Sequence, residues 1–227
     1  MYTWFQPIID LLAYVLSWTF EWTRDWGAAV IVLTLLVKGA LYRFNLLAAR
    51  QQVRSAAAFP ELSKLRETCG NDPAKLVQET TKVYGKYGIN PLSSPLSAII
   101  QMPVLMAMYG LFLTHGSTMT SILIPWVAHL AEADPFHLIP IATGLLSFAV
   151  GMIPLADAAA VSMSGSKRLL FGTILLLIPL VITWRAPVAL GLYWLSGSVF
   201  SLLERLFYRT SAGKRLLRRG LPEAAAT

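Results

Sequence analysis

A chain of 227 residues that is 56% hydrophobic and 14% charged lies outside the composition of an ordinary soluble domain, where about a quarter of residues are charged. The formal net charge of +7 comes from 19 Lys and Arg against 12 Asp and Glu, and a single Cys69 excludes a disulfide framework. The composition is that of an all-α, polytopic membrane protein.

Residues 1–26 are aromatic and amphipathic. Ile8, Ile9, Leu11, Leu12, Val15, Leu16 and Phe20 form an apolar side expected to face lipid, against Asp10, Ser17 and Glu21. With Trp4, Trp18, Trp22 and Trp26 as a belt, this reads as a helix lying in the outer interface. Residues 27–46 form the first transmembrane segment, whose run from Gly27 to Tyr42 would pass as a membrane span but for Lys38. A cation at mid-helix costs at least about 2.5 to 3.5 kcal/mol in hydrocarbon. No acid falls mid-span, so Lys38 needs water or an acidic guest, or else its stem snorkels toward the inner interface near Arg43.

Residues 47–90 have the signals of a cytoplasmic helical hairpin. Gly70 and Asn71 make the turn, Asp72 caps the second helix and Pro73 takes its first position. Leu76, Val83, Tyr84 and Tyr87 share a face that Gly88 ends, while Pro60 predicts a kink or restart in the first arm. Residues 91–114, 136–155, 169–184 and 188–208 are four further spans for a hydrocarbon core about 30 Å thick, the segment 169–184 being short enough to require tilt or a thinned bilayer. In the first of these four, Gln101 is expected to donate to the carbonyl that Pro103 leaves free.

Lys and Arg fix the orientation. They crowd residues 47–90, the short loop 156–168 and the tail 209–227, whereas the loop 115–135 has none. The N-terminus is therefore expected outside and the C-terminus in the cytoplasm. No secretory or transit signal precedes the first span, which fits a bacterial plasma membrane.

Helical spacing places Thr34, Lys38, Tyr42 and Asn45 on one side of the first span, in its cytoplasmic half. Ser94, Ser97 and Gln101 of the second, Thr173 of the fourth, and Ser198, Ser201 and Arg205 of the fifth fall at the same depth, with Thr143 and Ser147 of the third nearer the middle. Any one Ser or Thr is equally a helix-packing residue. Their shared depth points to a hydrophilic groove open to the cytoplasm, closed toward the exterior, with Lys38 near its deep end.

Five strings in order, VLTLLVK, YGKYGINPL, QMPVLMAMYGLF, ADPFHLIPI and PVALGLYWLSGSVFSLLER, give the chain a resemblance to the YidC/Oxa/Alb family of membrane protein insertases from about Trp18 to Arg209. The resemblance implies a five-helix core without a large extracytoplasmic domain. It implies that Lys38 stands where the family carries an arginine that attracts acidic parts of a nascent chain, and that Tyr193 of the last string joins the groove. Family members usually have a proline at the cytoplasmic end of the first span; this chain has Phe44 and Asn45, so the helix is expected to run straighter into the hairpin.

The implied partners are nascent membrane proteins, with the ribosome and the Sec translocon as further candidates. The basic residues Arg209, Lys214, Arg215, Arg218 and Arg219 are the candidate contacts to ribosomal RNA or anionic lipid, and DNA is not expected. No catalytic residue, cofactor or metal is expected. A serine protease would need His at the depth of Ser196 and Ser198, whereas His115, His129 and His137 sit at or near the outer face. A transporter would call for internal repeats or paired intramembrane acids, which the sequence lacks. A non-inserting scaffold that folds other membrane proteins is a further alternative reading.

Overall fold

The computed structural model describes residues 6–69, 72–90, 93–155 and 165–219, with residues 93–100 described by backbone only. Among the described residues the secondary structure is helical, without strands. The longer helices are α1 (Gln6–Thr23), α2 (Trp26–Ala40), α3 (Tyr42–Cys69), α4 (Pro73–Tyr87), α5 (Ser93–His115), α6 (Leu138–Met152), α7 (Gly165–Thr183), α8 (Val188–Arg209) and α9 (Ser211–Arg218). They divide into two compact units.

The first unit comprises residues 1–41, 99–152 and 169–203. α1 is helical as expected, but Ile9, Leu12 and Leu16 do not face outward. They are buried in the core with Ala29, Val30 and Leu33 of α2, leaving Leu11, Tyr14, Trp18 and Trp22 exposed. Leu11, Tyr14, Trp18 and Trp22 give α1 a second apolar stripe, and periodicity reveals that apolar side chains are present, not which stripe a neighbour covers. The same core takes in Met108, Leu111 and Phe112 of α5 and Leu190, Leu192 and Tyr193 of α8.

The loop between α5 and α6 is a folded plate that satisfies helix ends. Asp25 caps α2 by accepting from the Ala28 N–H at 2.8 Å, and also accepts from Ser121 Oγ at 2.9 Å and the Ile122 N–H at 2.6 Å. Burial pushes the Asp25 carboxyl up, but the N–H donors of Ala28, Ile122 and Gly27 and the Ser121 hydroxyl outweigh it and hold it below the usual carboxylate range. Asp134, buried, takes the Trp126 indole N–H and the N–H groups of Phe136 and Ile139 at the start of α6. The Glu132 and Leu130 carbonyls accept from Val188 and Ala189, serving the first turn of α8. Ile124, Val127 and Leu130 sink into the core beneath.

α6 and α7 approach closely through small residues. A Cβ on Gly144 would stand 3.0 Å from the Leu176 carbonyl oxygen, and one on Gly172 would stand 3.0 Å from the Phe148 ring. α7 begins at Gly165, so the helix extends one polar turn, residues 165–168, before the apolar segment that starts at 169. By length and composition it is the one described helix that would cross a membrane unaided. Lys167 and Arg168 lie in its first turn, where the helix dipole disfavours cations, which is why their charge reads as loop in the sequence.

The second unit comprises residues 42–98, 153–168 and 204–227. The helix ends at Ala40 and restarts at Tyr42, so the absence of proline at Phe44 and Asn45 does not keep the first span continuous. α3 in turn runs through Pro60 without the expected restart. The hairpin is otherwise built as its sequence dictates. Asp72 accepts from the Lys75 N–H, Pro73 opens α4, and Gly88 closes it at φ 61°, a left-handed conformation that glycine adopts without cost. The proposed turn residues Gly70 and Asn71 lie outside the described residues.

Val83 and Tyr87 of α4 bury themselves against Ala58, with Leu62 and Leu65 packed alongside. Polar ties then lock the two arms. Arg54 donates to the Gly88 carbonyl at 2.6 Å, Gln51 accepts from the Asn90 N–H at 3.2 Å, and Glu61 accepts from Lys86 Nζ at 2.7 Å and Tyr87 Oη at 3.1 Å. The tail also carries structure. α9, capped by Thr210, packs Leu217 with Ala49, Val53 and Tyr208, and Arg50 donates to the Leu216 carbonyl at 3.0 Å. Gly213 permits this fold-back, since a Cβ there would lie 2.1 Å from the Phe207 carbonyl oxygen.

Candidate functional site

Lys38 lies in the last turn of α2, half-buried, and points toward α8. Its terminal carbon would be 3.1 Å, and its Nζ 3.7 Å, from a Cβ on Gly197, so a side chain at 197 would press on the flexible end of Lys38 and shift it by a few tenths of an ångström. Around it is a cavity of about 170 Å³ lined by Lys38, Gln101, Tyr193, Gly197, Ser198 and Ser201, with Leu105 and Trp194 completing the wall.

Three elements of the first unit supply these groups. α5 contributes Gln101, whose Nε2 donates to Tyr193 Oη of α8 at 2.6 Å. This replaces the donation to the Pro103 region expected from sequence: the side chain crosses to a neighbouring helix instead of serving its own. Ser198 and Ser147 share a hydrogen bond at 3.2 Å, joining α8 to α6, and Ser201 donates to the Gly197 carbonyl at 2.9 Å. On α8 the lining residues 193, 194, 197, 198 and 201 follow helical spacing, which turns one polar stripe of a mostly apolar helix toward Lys38.

Of the groove residues expected from sequence, the structure brings together Lys38, Gln101, Tyr193, Ser198 and Ser201, with Ser147 bonded to Ser198 from behind. Thr34 is fully buried and donates to the Val30 carbonyl; its methyl group would lie 3.9 Å from a Gly197 Cβ. Thr143, also buried, donates to the Ile139 carbonyl, and Thr173 to the Leu169 carbonyl. These three hydroxyls are spent on the preceding turn of their own helices, and none lines the cavity. Asn45 lies half-buried on α3 in the second unit and is not among the lining residues, and the side chain of Ser97 lies outside the described ones.

Sequence reasoning missed Gly197, Trp194 and Leu105. The available signal was the four-residue step from Tyr193 through Gly197 to Ser201, in which a glycine between two polar residues marks a close approach. The tail residues Arg209, Lys214, Arg215, Arg218 and Arg219 are all exposed, with Lys214, Arg215 and Arg218 on α9. Arg205 is distinct from them: it is half-buried and donates through Nη1 to the Ile153 carbonyl, just past the end of α6. Among the described residues no cluster of His, Cys, Asp or Glu could hold a metal.

The family model described as 60Kd inner membrane protein matches residues 18–215. The chain is 28% identical over 207 residues to the membrane protein insertase YidC of Legionella pneumophila (strain Corby), an alignment covering 90% of this chain and 35% of that protein. It is 29% identical over 211 residues to the membrane protein insertase YidC of Thiobacillus denitrificans (strain ATCC 25259 / T1), covering 90% and 36% respectively. The chain thus spans about a third of the length of these curated relatives. A crystal structure of an active YidC insertase with the first transmembrane domain resolved shares the fold, with a TM-score of 0.63 at 19% identity, over 92% of this chain and 47% of that one.

Proposed function

Because the chain belongs to the 60Kd inner membrane protein family, we propose that it is an insertase of the bacterial inner membrane, placing nascent membrane proteins into the bilayer and helping them fold without nucleotide hydrolysis. In this reading five helices span the membrane: α2 with the start of α3, then α5, α6, α7 and α8. The N-terminus lies outside and the hairpin and basic tail lie in the cytoplasm, the side on which Lys and Arg collect. α1 lies in the outer interface, where its exposed Tyr14, Trp18 and Trp22 suit the headgroup level.

The observation that carries the reading is the grouping of Lys38 with Gln101, Tyr193, Ser198 and Ser201 around one cavity. Such a cavity offers positive charge and hydrogen-bond partners within otherwise apolar helices. An acidic tail of a nascent chain pairs transiently with Lys38, which lowers the cost of bringing that tail into the bilayer. Burial of the apolar helix behind it, at about 25 cal/mol per Å², supplies the drive. The hairpin receives the chain first, and Arg209, Lys214, Arg215, Arg218 and Arg219 meet the ribosome or anionic lipid, with the Sec translocon a further partner.

An insertion assay in proteoliposomes, with a short-tailed single-span substrate, tests this. Lys38→Arg retains insertion, and Lys38→Glu lowers it at least about tenfold for acidic tails but much less for neutral ones. Equal insertion of acidic tails by Lys38→Glu and the parent would remove the charge-pairing step.

A further inference from the structure

The cavity at Lys38 uses one side of Leu105. Leu105 also borders a second depression, a space of about 370 Å³ between α5 and the α7–α8 corner, with Met106, Tyr109, Ile182, Leu190 and Arg185 as its other principal walls. Four of these six side chains are hydrocarbon or thioether, and the polar groups are a phenol and a guanidinium. Arg185 is exposed and makes no ion pair among the described residues. It is also the sole Lys or Arg in the sequence between Arg168 and Arg205. Its neighbour Trp184, against His137 with ring centroids 4.0 Å apart and planes tilted by 30°, gives this corner the aromatic and cationic pairing found where hydrocarbon meets headgroups.

We infer that this trough is a lipid site: one acyl chain of an anionic phospholipid lies against Leu105, Met106, Ile182 and Leu190, and its phosphodiester is held by Arg185. Apolar burial alone gives no preference inside a bilayer, where every competing lipid tail is equally apolar. Selectivity therefore falls to the headgroup. A planar guanidinium grips a phosphodiester through two parallel hydrogen bonds, and a lipid with no ammonium of its own leaves that phosphate uncontested. The site is separate from the Lys38 cavity although Leu105 is common to both, so lipid occupancy on one side of Leu105 sets how far that side chain can yield toward the other. The inference rests on these helices spanning a membrane, and not on insertion.

Native mass spectrometry of the purified full chain, equilibrated in detergent with equal phosphatidylglycerol and phosphatidylcholine, reads the site directly. The parent retains phosphatidylglycerol preferentially, Arg185→Gln reduces that preference about tenfold, and Arg185→Lys restores part of it. Met106→Trp, which fills the trough, lowers retention of both lipids, and Lys38→Gln changes neither. Soluble glycerol 3-phosphate does not compete, because the headgroup alone lacks the chain that seats it. An unchanged preference in Arg185→Gln, a loss in Lys38→Gln, or effective competition by glycerol 3-phosphate overturns the assignment. So does slower insertion by Arg185→Gln with lipid retention intact, which would place a passing substrate on Arg185 instead. Release of the protein from membranes by alkaline carbonate would instead contradict the spanning reading, a result separable from lipid selectivity.

Discussion

The two units solve the problem of holding helices together in opposite ways. In the first, apolar side chains fill the core, buried hydroxyls such as those of Thr34 and Thr143 turn back onto their own helices, and the structural carboxylates Asp25 and Asp134 lie at helix starts. In the second, side chains reach from one helix to another: Arg54 to Gly88, Gln51 to Asn90, Glu61 to Lys86, Arg50 to Leu216. The proposed placement, with the first unit in lipid and the second in water, accounts for the difference. Where the surroundings are lipid, apolar contact carries no net drive between helices and close approach through glycine matters most. Where they are water, a small buried patch such as Ala58, Val83 and Tyr87 contributes, and charged groups can bridge at little cost. Against this background the cluster at Lys38 stands out: polar side chains of different helices are joined to one another there, in a unit whose other described hydroxyls bond mostly to backbone carbonyls.

Substitutions that exchange the two strategies sharpen the comparison. The largest effect is expected from Gly144→Leu, because the new Cβ meets the Leu176 carbonyl oxygen, which belongs to the backbone and cannot rotate away. Overpacking of this kind costs about 1–3 kcal/mol, read as a lower midpoint of thermal unfolding in detergent followed by tryptophan fluorescence. Next is Asp25→Ala, which removes a helix cap and leaves Ser121 and the Ile122 N–H without their acceptor. A loss of about 1–2 kcal/mol is expected, with faster hydrogen exchange at residues 121–123 while the hairpin is unaffected.

The smallest effect belongs to the Glu61–Lys86 pair, whose side chains are 37% and 53% exposed. The hydrogen bond from Lys86 is the main reason that the Glu61 carboxyl is held below its ordinary value of 4.5, and the same bond raises Lys86 above 10.5. A depressed carboxylate stabilises the fold at pH values above its ordinary range and loses that contribution as pH falls through the lowered value; the raised lysine loses its share only as pH climbs through its own. Hydrogen exchange in the last turn of α4, corrected for intrinsic rates, should therefore quicken slightly below about pH 4. Glu61→Gln should flatten that dependence, and an unchanged profile in the variant would assign the effect to other carboxylates.

Much of this arrangement is legible in the sequence where a single local cause decides it. Asp72, Pro73 and Gly88 bound α4 because capping and backbone freedom depend on neighbours in the chain. Lys38, Gln101, Ser198 and Ser201 share a depth because helical rise is uniform, and the cavity gathers them. What stays hidden depends on partners distant in sequence. Periodicity puts Thr34 and Thr143 on a polar side but cannot say that their hydroxyls are already taken by Val30 and Ile139. The break at Leu41 has no proline to announce it. Nothing local in the sequence shows that Gly213 is what lets α9 lie against Phe207 and Tyr208.

The central claim is that a nascent chain passes the polar cluster at Lys38. Ser201→Cys places a thiol on the cavity wall, and Thr173→Cys places one on a helix position away from it. With Cys69 replaced by Ala, each variant is presented to a ribosome-stalled membrane protein carrying one cysteine at the start of its apolar segment, and disulfide crosslinks are measured. Strong crosslinking from position 201 that weakens with Lys38→Glu, and little from position 173, is the predicted result. Equal crosslinking from both positions, or crosslinking at 201 indifferent to the charge at 38, would contradict the account.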